Sequence, residues 1–258
     1  MRIARALAVV ASVTALATAT SFTPASAIVN GSAAPEGAYP FMAAIVDSTD
    51  FQFCGGSVIS SSYVLTAAHC VLDIDPSKEA TYVITGRTNL SNTSQGQRIR
   101  VSAISVHPKY DGNAYDAAVL RLASPTTSPA ITLASAANDN LETPGTVVRV
   151  TGWGDQTPTL GLNSTNSLRY VDLKVVSDSE CGVANLGFDA PTGVCAEELL
   201  KDSCNGDSGG PLFYNGTTRI QIGIVSYGNS CAVPKSPGVY SEVNNTEIRS
   251  FIKNVSGV

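Results

Sequence analysis

The run Gly206-Asp207-Ser208-Gly209-Gly210-Pro211 sets a serine among glycines. Residues without a Cβ let another backbone come close and let amide N–H groups converge on one point. A serine hydroxyl attacks a carbonyl only when a base stands beside it, and the chain has 2 histidines. His69 lies in Leu65-Thr66-Ala67-Ala68-His69-Cys70, a strand end followed by a cysteine able to pin the loop. His107 precedes Pro108 in the polar run Val106-His107-Pro108-Lys109-Tyr110, where a surface histidine is expected. The base in turn needs an acceptor to hold it. Asp116 stands immediately before Ala117-Ala118-Val119-Leu120, where a charge is costly unless it is partnered. Taken singly, the serine fits an ordinary glycine turn and Asp116 a strand end. Taken together, His69, Asp116 and Ser208 are the parts of nucleophilic acyl transfer.

The elements that must position these groups read as short strands. Phe41–Val46, Ser57–Ile59, Tyr82–Ile84, Ala118–Leu122, Thr146–Val150, Ile220–Val225 and Gly238–Val243 are rich in β-branched and aromatic residues. Gly, Asn, Pro and Ser clusters separate them, the pattern of an all-β barrel or sandwich. With 22 glycines and 13 prolines spread along 258 residues, punctuated β-structure fits better than a disordered tail. Near the C-terminus, Ile248, Phe251, Ile252 and Val255 recur at i, i+3, i+4, i+7, which predicts an amphipathic helix docking on the body. A polar, small-residue stretch from about residue 123 to 140 is the candidate crossover between two halves.

Hydrophobic residues make up 43% and charged residues 14%, enough apolar material for a sizeable core. The net charge of −5 comes with no basic cluster, which argues against nucleic acid as a partner. Arg2 and Arg5 precede the apolar run from Ala6 to Ala19, and Ala25-Ser26-Ala27 follows. This is the layout of a signal peptide over residues 1–27. An N-terminal anchor is the other reading, but the run is short for a bilayer. No later segment is apolar enough to cross a membrane, so a secreted, extracellular protein is expected. All six cysteines lie beyond that cut, and an even count in an exported chain favours three disulfides. Spacing alone leaves 15 pairings open. With no Cys-x-x-Cys pair and two histidines, a metal site is not expected, nor any cofactor.

His69, Asp116 and Ser208 follow the chain order His…Asp…Ser. Around them stand Ile28-Val29-Asn30-Gly31, Cys54-Gly55-Gly56-Ser57, Thr66-Ala67-Ala68-His69-Cys70, Gly152-Trp153-Gly154, Lys201 through Pro211, Val225-Ser226-Tyr227-Gly228 and Pro237-Gly238-Val239-Tyr240. On these segments the sequence resembles secreted serine proteases of the chymotrypsin–trypsin family, particularly short bacterial and fungal trypsins. The resemblance covers essentially all of residues 28–258. It implies two packed six-stranded antiparallel β-barrels, at about 28–135 and 136–258, with a C-terminal helix and the triad in the crevice between them. It implies the bridges Cys54–Cys70, Cys181–Cys195 and Cys204–Cys231.

The resemblance also implies a serine endopeptidase acting on protein or peptide substrates, open to protein inhibitors and expected as a monomer. Backbone N–H groups of Gly206 and Ser208 would form the oxyanion hole. Asp202 aligns with the acid at the base of a pocket for Arg or Lys. Ser203, Asn205 and Ser226 would line that pocket, and Gly228 and Gly238 would leave its walls open. Tyr227 stands where the family usually has Trp. In the loop Gly86–Gln97, Arg87 replaces an acidic ligand, so the family's calcium site is expected to be absent. A new α-amino group at Ile28 would pair with Asp207 and order the site. Ala27, not Lys or Arg, precedes it, so signal peptidase itself could release active enzyme; a cut near Ala19, leaving a short propeptide, is the rival route. Two rival functions remain: a homologue that binds without cleaving, and a protease with chymotrypsin- or elastase-like preference, against which Asp202 argues. Asn-x-Ser/Thr triplets at Asn89, Asn163 and Asn215 leave glycosylation open.

Overall fold

Runs of β-branched residues broken by turns fold here as antiparallel strands that close on themselves twice. The computed structural model describes residues 28–157 and 165–258. The leader and Asn163 lie outside the described residues. After a two-residue strand β1 (Ser32–Ala33), the first barrel is built from β2 (Met42–Val46), β3 (Gln52–Ser60), β4 (Tyr63–Thr66), β5 (Tyr82–Thr85), β6 (Gln97–Val106) and β7 (Ala118–Leu122). These close in the order β2-β3-β4-β7-β6-β5. After the short β8 (Thr132–Leu133), the second barrel uses β9 (Val147–Gly152), β10 (Arg169–Val176), β11 (Gly193–Glu197), β12 (Pro211–Asn215), β13 (Arg219–Tyr227) and β14 (Gly238–Glu242). The pairing of β9 with both β10 and β12 closes that ring. Closure removes the free sheet edges that would otherwise invite association.

Each barrel has its own apolar filling. Ile45, Val58, Val64, Val83, Ile99 and Leu120 fill the first, and Val148, Leu173, Leu212, Ile222 and Tyr240 the second. A third cluster joins them, with Phe41 of the first barrel edge-on to Phe213 of the second at 5.3 Å. Buried Ser57 donates to Gln221 at 2.7 Å across the same seam, so the polar groups there are not left unpaired.

Barrel membership departs from chain order at the ends. Ser32–Ala33 and Thr132–Leu133, both expected in the first half, pair instead with β10 and with β13 of the second barrel. There they give those strands backbone partners that they would otherwise lack. The C-terminal helix forms as its stripe predicts, but after α1 (Asp178–Ala184) it is the second one, α2 (Thr246–Ser256). Asn245 caps α2 through bonds from Glu247 N and Ile248 N, and Gly257 ends it in the left-handed region, φ 78°. Ile248 and Ile252 are wholly buried in the shared cluster, so this helix ties the end of the chain to the joint between the barrels.

The strand β6 was not among the expected ones. Arg98 and Arg100 give it a polar look, yet Ile99 and Val101 alternate with them and point inward. All three disulfides form as the resemblance implies, Cys54–Cys70, Cys181–Cys195 and Cys204–Cys231. For loops of about 15 residues such a link is worth about 3 kcal/mol in the chain-entropy account.

Candidate active site

β4 runs out at Thr66, and the turn that follows carries His69 to the lip of the crevice, pinned by the Cys54–Cys70 bridge. Asp116 enters from the loop before β7 and is 2% exposed. Its Oδ1 accepts His69 N at 2.9 Å, its Oδ2 pairs with His69 Nδ1 at 2.7 Å, and Oδ2 also accepts Ser226 Oγ at 2.5 Å. Three donors satisfy a buried carboxylate, and the Nδ1 contact leaves Nε2 as the nitrogen available for proton transfer.

Ser208 comes from the second barrel and is drawn to the first. Its carbonyl accepts Gly55 N at 2.7 Å. Gly209 beside it lies at φ 80°, and a Cβ there would stand 2.1 Å from Thr66 Oγ1 and 3.1 Å from Ala67 N. Glycine is therefore required where the serine loop meets the histidine turn. His69 and Asp116 are hydrogen-bonded, whereas no hydrogen bond joins Ser208 Oγ to His69; Nε2 lies 3.7 Å from Cys70 Sγ. Catalytic hydrogen bonds are often long before substrate binds.

Among the described residues, no acceptor pairs with the N–H of Gly206 or Ser208. Gly206 takes φ 88°, and its carbonyl is held by Gln52 Nε2 at 2.7 Å. Gln52 was missed by sequence reasoning, as was Asp155, whose N–H donates to Asn205 O at 2.7 Å and whose Oδ2 accepts Asn205 Nδ2 at 3.2 Å. Neither carries a local signal, because each acts on a loop far along the chain.

Next to Ser208 opens a cleft of about 380 Å³. Asp202, Ser203, Asn205, Ser226, Tyr227, Gly228 and Gly238, all expected there, line it. A larger shallow depression of about 810 Å³ beside β6 holds none of these groups. Asp202 is 6% exposed, with Oδ2 accepting Ala232 N at 3.0 Å while Oδ1 is buried without a partner. Burial pushes its carboxyl up to about 7, against the pull of the Ala232 N–H and of neighbouring Ser203. A Cβ on Gly238 would stand 3.2 Å from that same Oδ1, so glycine keeps the base of the cleft reachable.

Asp207 is wholly buried, and burial raises it to about 7, helped by the nearby charges of Asp202 and Asp155. Its oxygens accept Gly154 N and Cys204 N, each at 2.9 Å. Among the described residues no cation pairs with it. Ile28 is buried in the second barrel's core, and Val29 N donates to Asp202 O at 3.0 Å. The first residues of the described chain are thus laced to the pocket loop.

Two further residues correct or extend the sequence picture. His107, expected at the surface, is 4% exposed; its ring lies edge-on to Phe251 of α2 at 4.9 Å. The apolar face of α2, far along the chain, covers it. In the loop 86–97, Arg87 is buried and donates to the carbonyls of Gln95 at 2.7 Å and Leu90 at 3.3 Å. A guanidinium thus sits among that loop's carbonyls.

Twin antiparallel barrels with a His–Asp pair and a glycine-framed serine meeting at their seam define a double-barrel serine endopeptidase. A family model described as Trypsin matches residues 28–252, and the chain belongs to the trypsin family. It is similar to Trypsin 5G1 of Aedes aegypti, 36% identical over 247 residues that span 90% of this chain and 85% of that protein. Serine protease 1 of Rattus norvegicus is 35% identical over 224 residues, 84% of this chain and 86% of the relative. A bacterial Trypsin, from Saccharopolyspora erythraea, is 36% identical over 220 residues, 84% of this chain and 93% of its own length.

Proposed function

We propose that this chain is exported and cleaves peptide bonds after Arg or Lys, with His69, Asp116 and Ser208 as its catalytic triad. The observation that carries the specificity is the unpartnered Oδ1 of Asp202 in the cleft beside Ser208. A guanidinium or ammonium group entering there gives that oxygen the donor it lacks, and an apolar side chain leaves a buried charge unpaired.

His69 takes the proton of Ser208 as it attacks the scissile carbonyl and returns it to the leaving amine. Asp116 fixes the imidazole and stabilises its cation. The N–H groups of Gly206 and Ser208 receive the oxyanion, each such donor being worth about 3–4 kcal/mol in a transition state of this kind. Water then attacks the acyl-enzyme, with His69 again as base. Ser226, Tyr227 and Gly228 pair with the substrate backbone as an added strand, and Ser203, Asn205 and Gly238 shape the pocket. Cleavage after Ala27 frees the α-amino group of Ile28, which neutralises Asp207 and orders the oxyanion loop. The protein works as an extracellular monomer on protein or peptide substrates, and protein inhibitors would fill the same cleft.

Chromogenic peptides ending in Arg, Lys, Phe or Ala, with and without an irreversible serine-protease inhibitor, test this. Inhibitor-sensitive release confined to Arg and Lys is expected. Release from Phe or Ala instead overturns the role of Asp202, and no release from protein beginning at Ile28 brings forward the non-cleaving binding protein.

A further inference from the structure

Asp116 is preceded by a residue in an unusual conformation. Tyr115 has φ 56°, in the left-handed region that a bulky side chain rarely enters. Such strain persists only where the surroundings over-determine it. Here they do. The Tyr115 ring stacks on His107, centroids 4.8 Å apart and planes within 9°. Its hydroxyl donates to Glu247 Oε1 of α2 at 3.2 Å. Lys109 forms an ion pair with the same Glu247, and its Nζ stands 5.4 Å from the Tyr115 ring centre.

His107 is itself fixed. Lys109 N donates to its Nδ1 at 3.2 Å, and Phe251 of α2 packs against the ring at 4.9 Å. Glu247 and Phe251 are one turn apart on α2, so the helix holds both the tyrosine hydroxyl and the histidine beneath the ring. On the other side, Tyr115 O accepts Ala117 N at 2.7 Å, which closes a tight turn with Asp116 at its centre. The peptide plane that Tyr115 sets therefore directs the Asp116 carboxylate toward His69.

We propose that Tyr115 is a positioning residue for Asp116, its left-handed backbone held by His107 and by Glu247 of the C-terminal helix so that the carboxylate meets His69 in register. The proposal rests on the triad reading given above. None of Tyr115, His107 and Glu247 touches the reacting atoms; they act through the backbone.

The test compares Tyr115→Ala, Tyr115→Asn and Tyr115→Phe in the mature enzyme, with kcat and KM on an Arg peptide per titrated active site, thermal unfolding alongside and Ser208→Ala as control. Alanine resists the left-handed region, whereas asparagine enters it readily. Tyr115→Ala is expected to lower kcat by about 10- to 100-fold, as misplacement of a catalytic group does, with KM within about twofold. Tyr115→Asn, which lacks the ring but suits the backbone, is expected to recover most of kcat even if it unfolds earlier. Equal losses in the alanine and asparagine variants, a change in KM alone, or an unaltered kcat in Tyr115→Ala overturns the proposal. Should Tyr115→Ala not fold, Tyr115→Phe decides: about a threefold fall in kcat at constant KM follows from losing the Glu247 bond, and an unchanged kcat overturns it. Activity that survives Ser208→Ala overturns the triad and this proposal together; activity lost there but intact in Tyr115→Ala overturns the proposal alone.

Discussion

Ser226 Oγ donates to Asp116 Oδ2 at 2.5 Å, a bond that reaches from β13 of the second barrel to the loop before β7 of the first. The carboxylate that orients His69 is thus held from both barrels. Hydrogen bonds to a charged group are worth about 1.5–3 kcal/mol. Ser226→Ala is expected to lower kcat/KM by about tenfold, measured on an Arg peptide, while the fold is retained and the thermal midpoint falls by several degrees.

The pocket carboxylate gives a pH signature. Asp202 is raised to about 7 by burial, and only its ionised form attracts a cation. An arginine-like amidinium ligand should bind with constant affinity above about pH 7 and about tenfold more weakly for each unit below. Calorimetry in two buffers of different ionisation enthalpy should register proton release on binding near pH 6. Asp202→Asn should remove both the affinity and its pH dependence.

A second pair of acids bears on stability. Glu142, at the end of the 3₁₀ turn Ala136–Glu142, is raised to about 8, and Glu242 of β14 to about 7. Burial is the main cause for both; the contact with Glu242 and the charge of Asp139 raise Glu142 further, whereas for Glu242 the charges of Asp178 and Asp139 add to burial and the hydrogen bond with Glu142 works against it. A carboxyl whose folded value is raised holds its proton in the folded chain while the unfolded chain has lost it. Stability then falls as pH rises from the ordinary carboxylate range to about 8, and levels off above. Thermal unfolding between pH 5 and pH 8 should follow that slope, and Glu142→Gln should flatten it.

The unpaired burial of Asp207 leads to a prediction about maturation. A protein beginning at Ile28 has a free α-amino group within its first buried residue, and one that retains Ala27 does not. The first should cleave Arg peptides, and the second should be slower by about 100-fold or more, since an unordered oxyanion loop forfeits its donors. N-terminal sequencing of the secreted protein should begin at Ile28; a start at Thr20 or Ser21 would favour a separate propeptide step.

Much of this was legible before any fold was known, because barrel strands and active-site turns leave local marks. The β-branched runs gave β2, β5, β7 and β13 within a few residues, and the i, i+3, i+4, i+7 stripe gave α2. The types of residue at 69, 116, 202 and 208 suggested the chemistry proposed above, and the structure brings His69 onto Asp116 and sets Asp202 in the cleft beside Ser208. β6 escaped because its inward and outward residues alternate and its arginines disguise the run. His107 was misjudged because a Pro-flanked polar loop reads as surface, while the element that buries it, α2, lies some 140 residues further along the chain.

By itself, then, the sequence determined several of the barrel strands and the C-terminal helix, the chemical groups and, through its ordered motifs, the family. Only the tertiary structure decided which groups meet: Ser226 on Asp116, Gln52 on the Gly206 carbonyl, Glu247 on Tyr115, and the orphaned oxygen of Asp202. The physical reason is range. Turn, cap and periodicity signals come from interactions among neighbours along the chain, whereas burial and hydrogen-bond partners are set by strands and loops that come together only when both barrels close against each other.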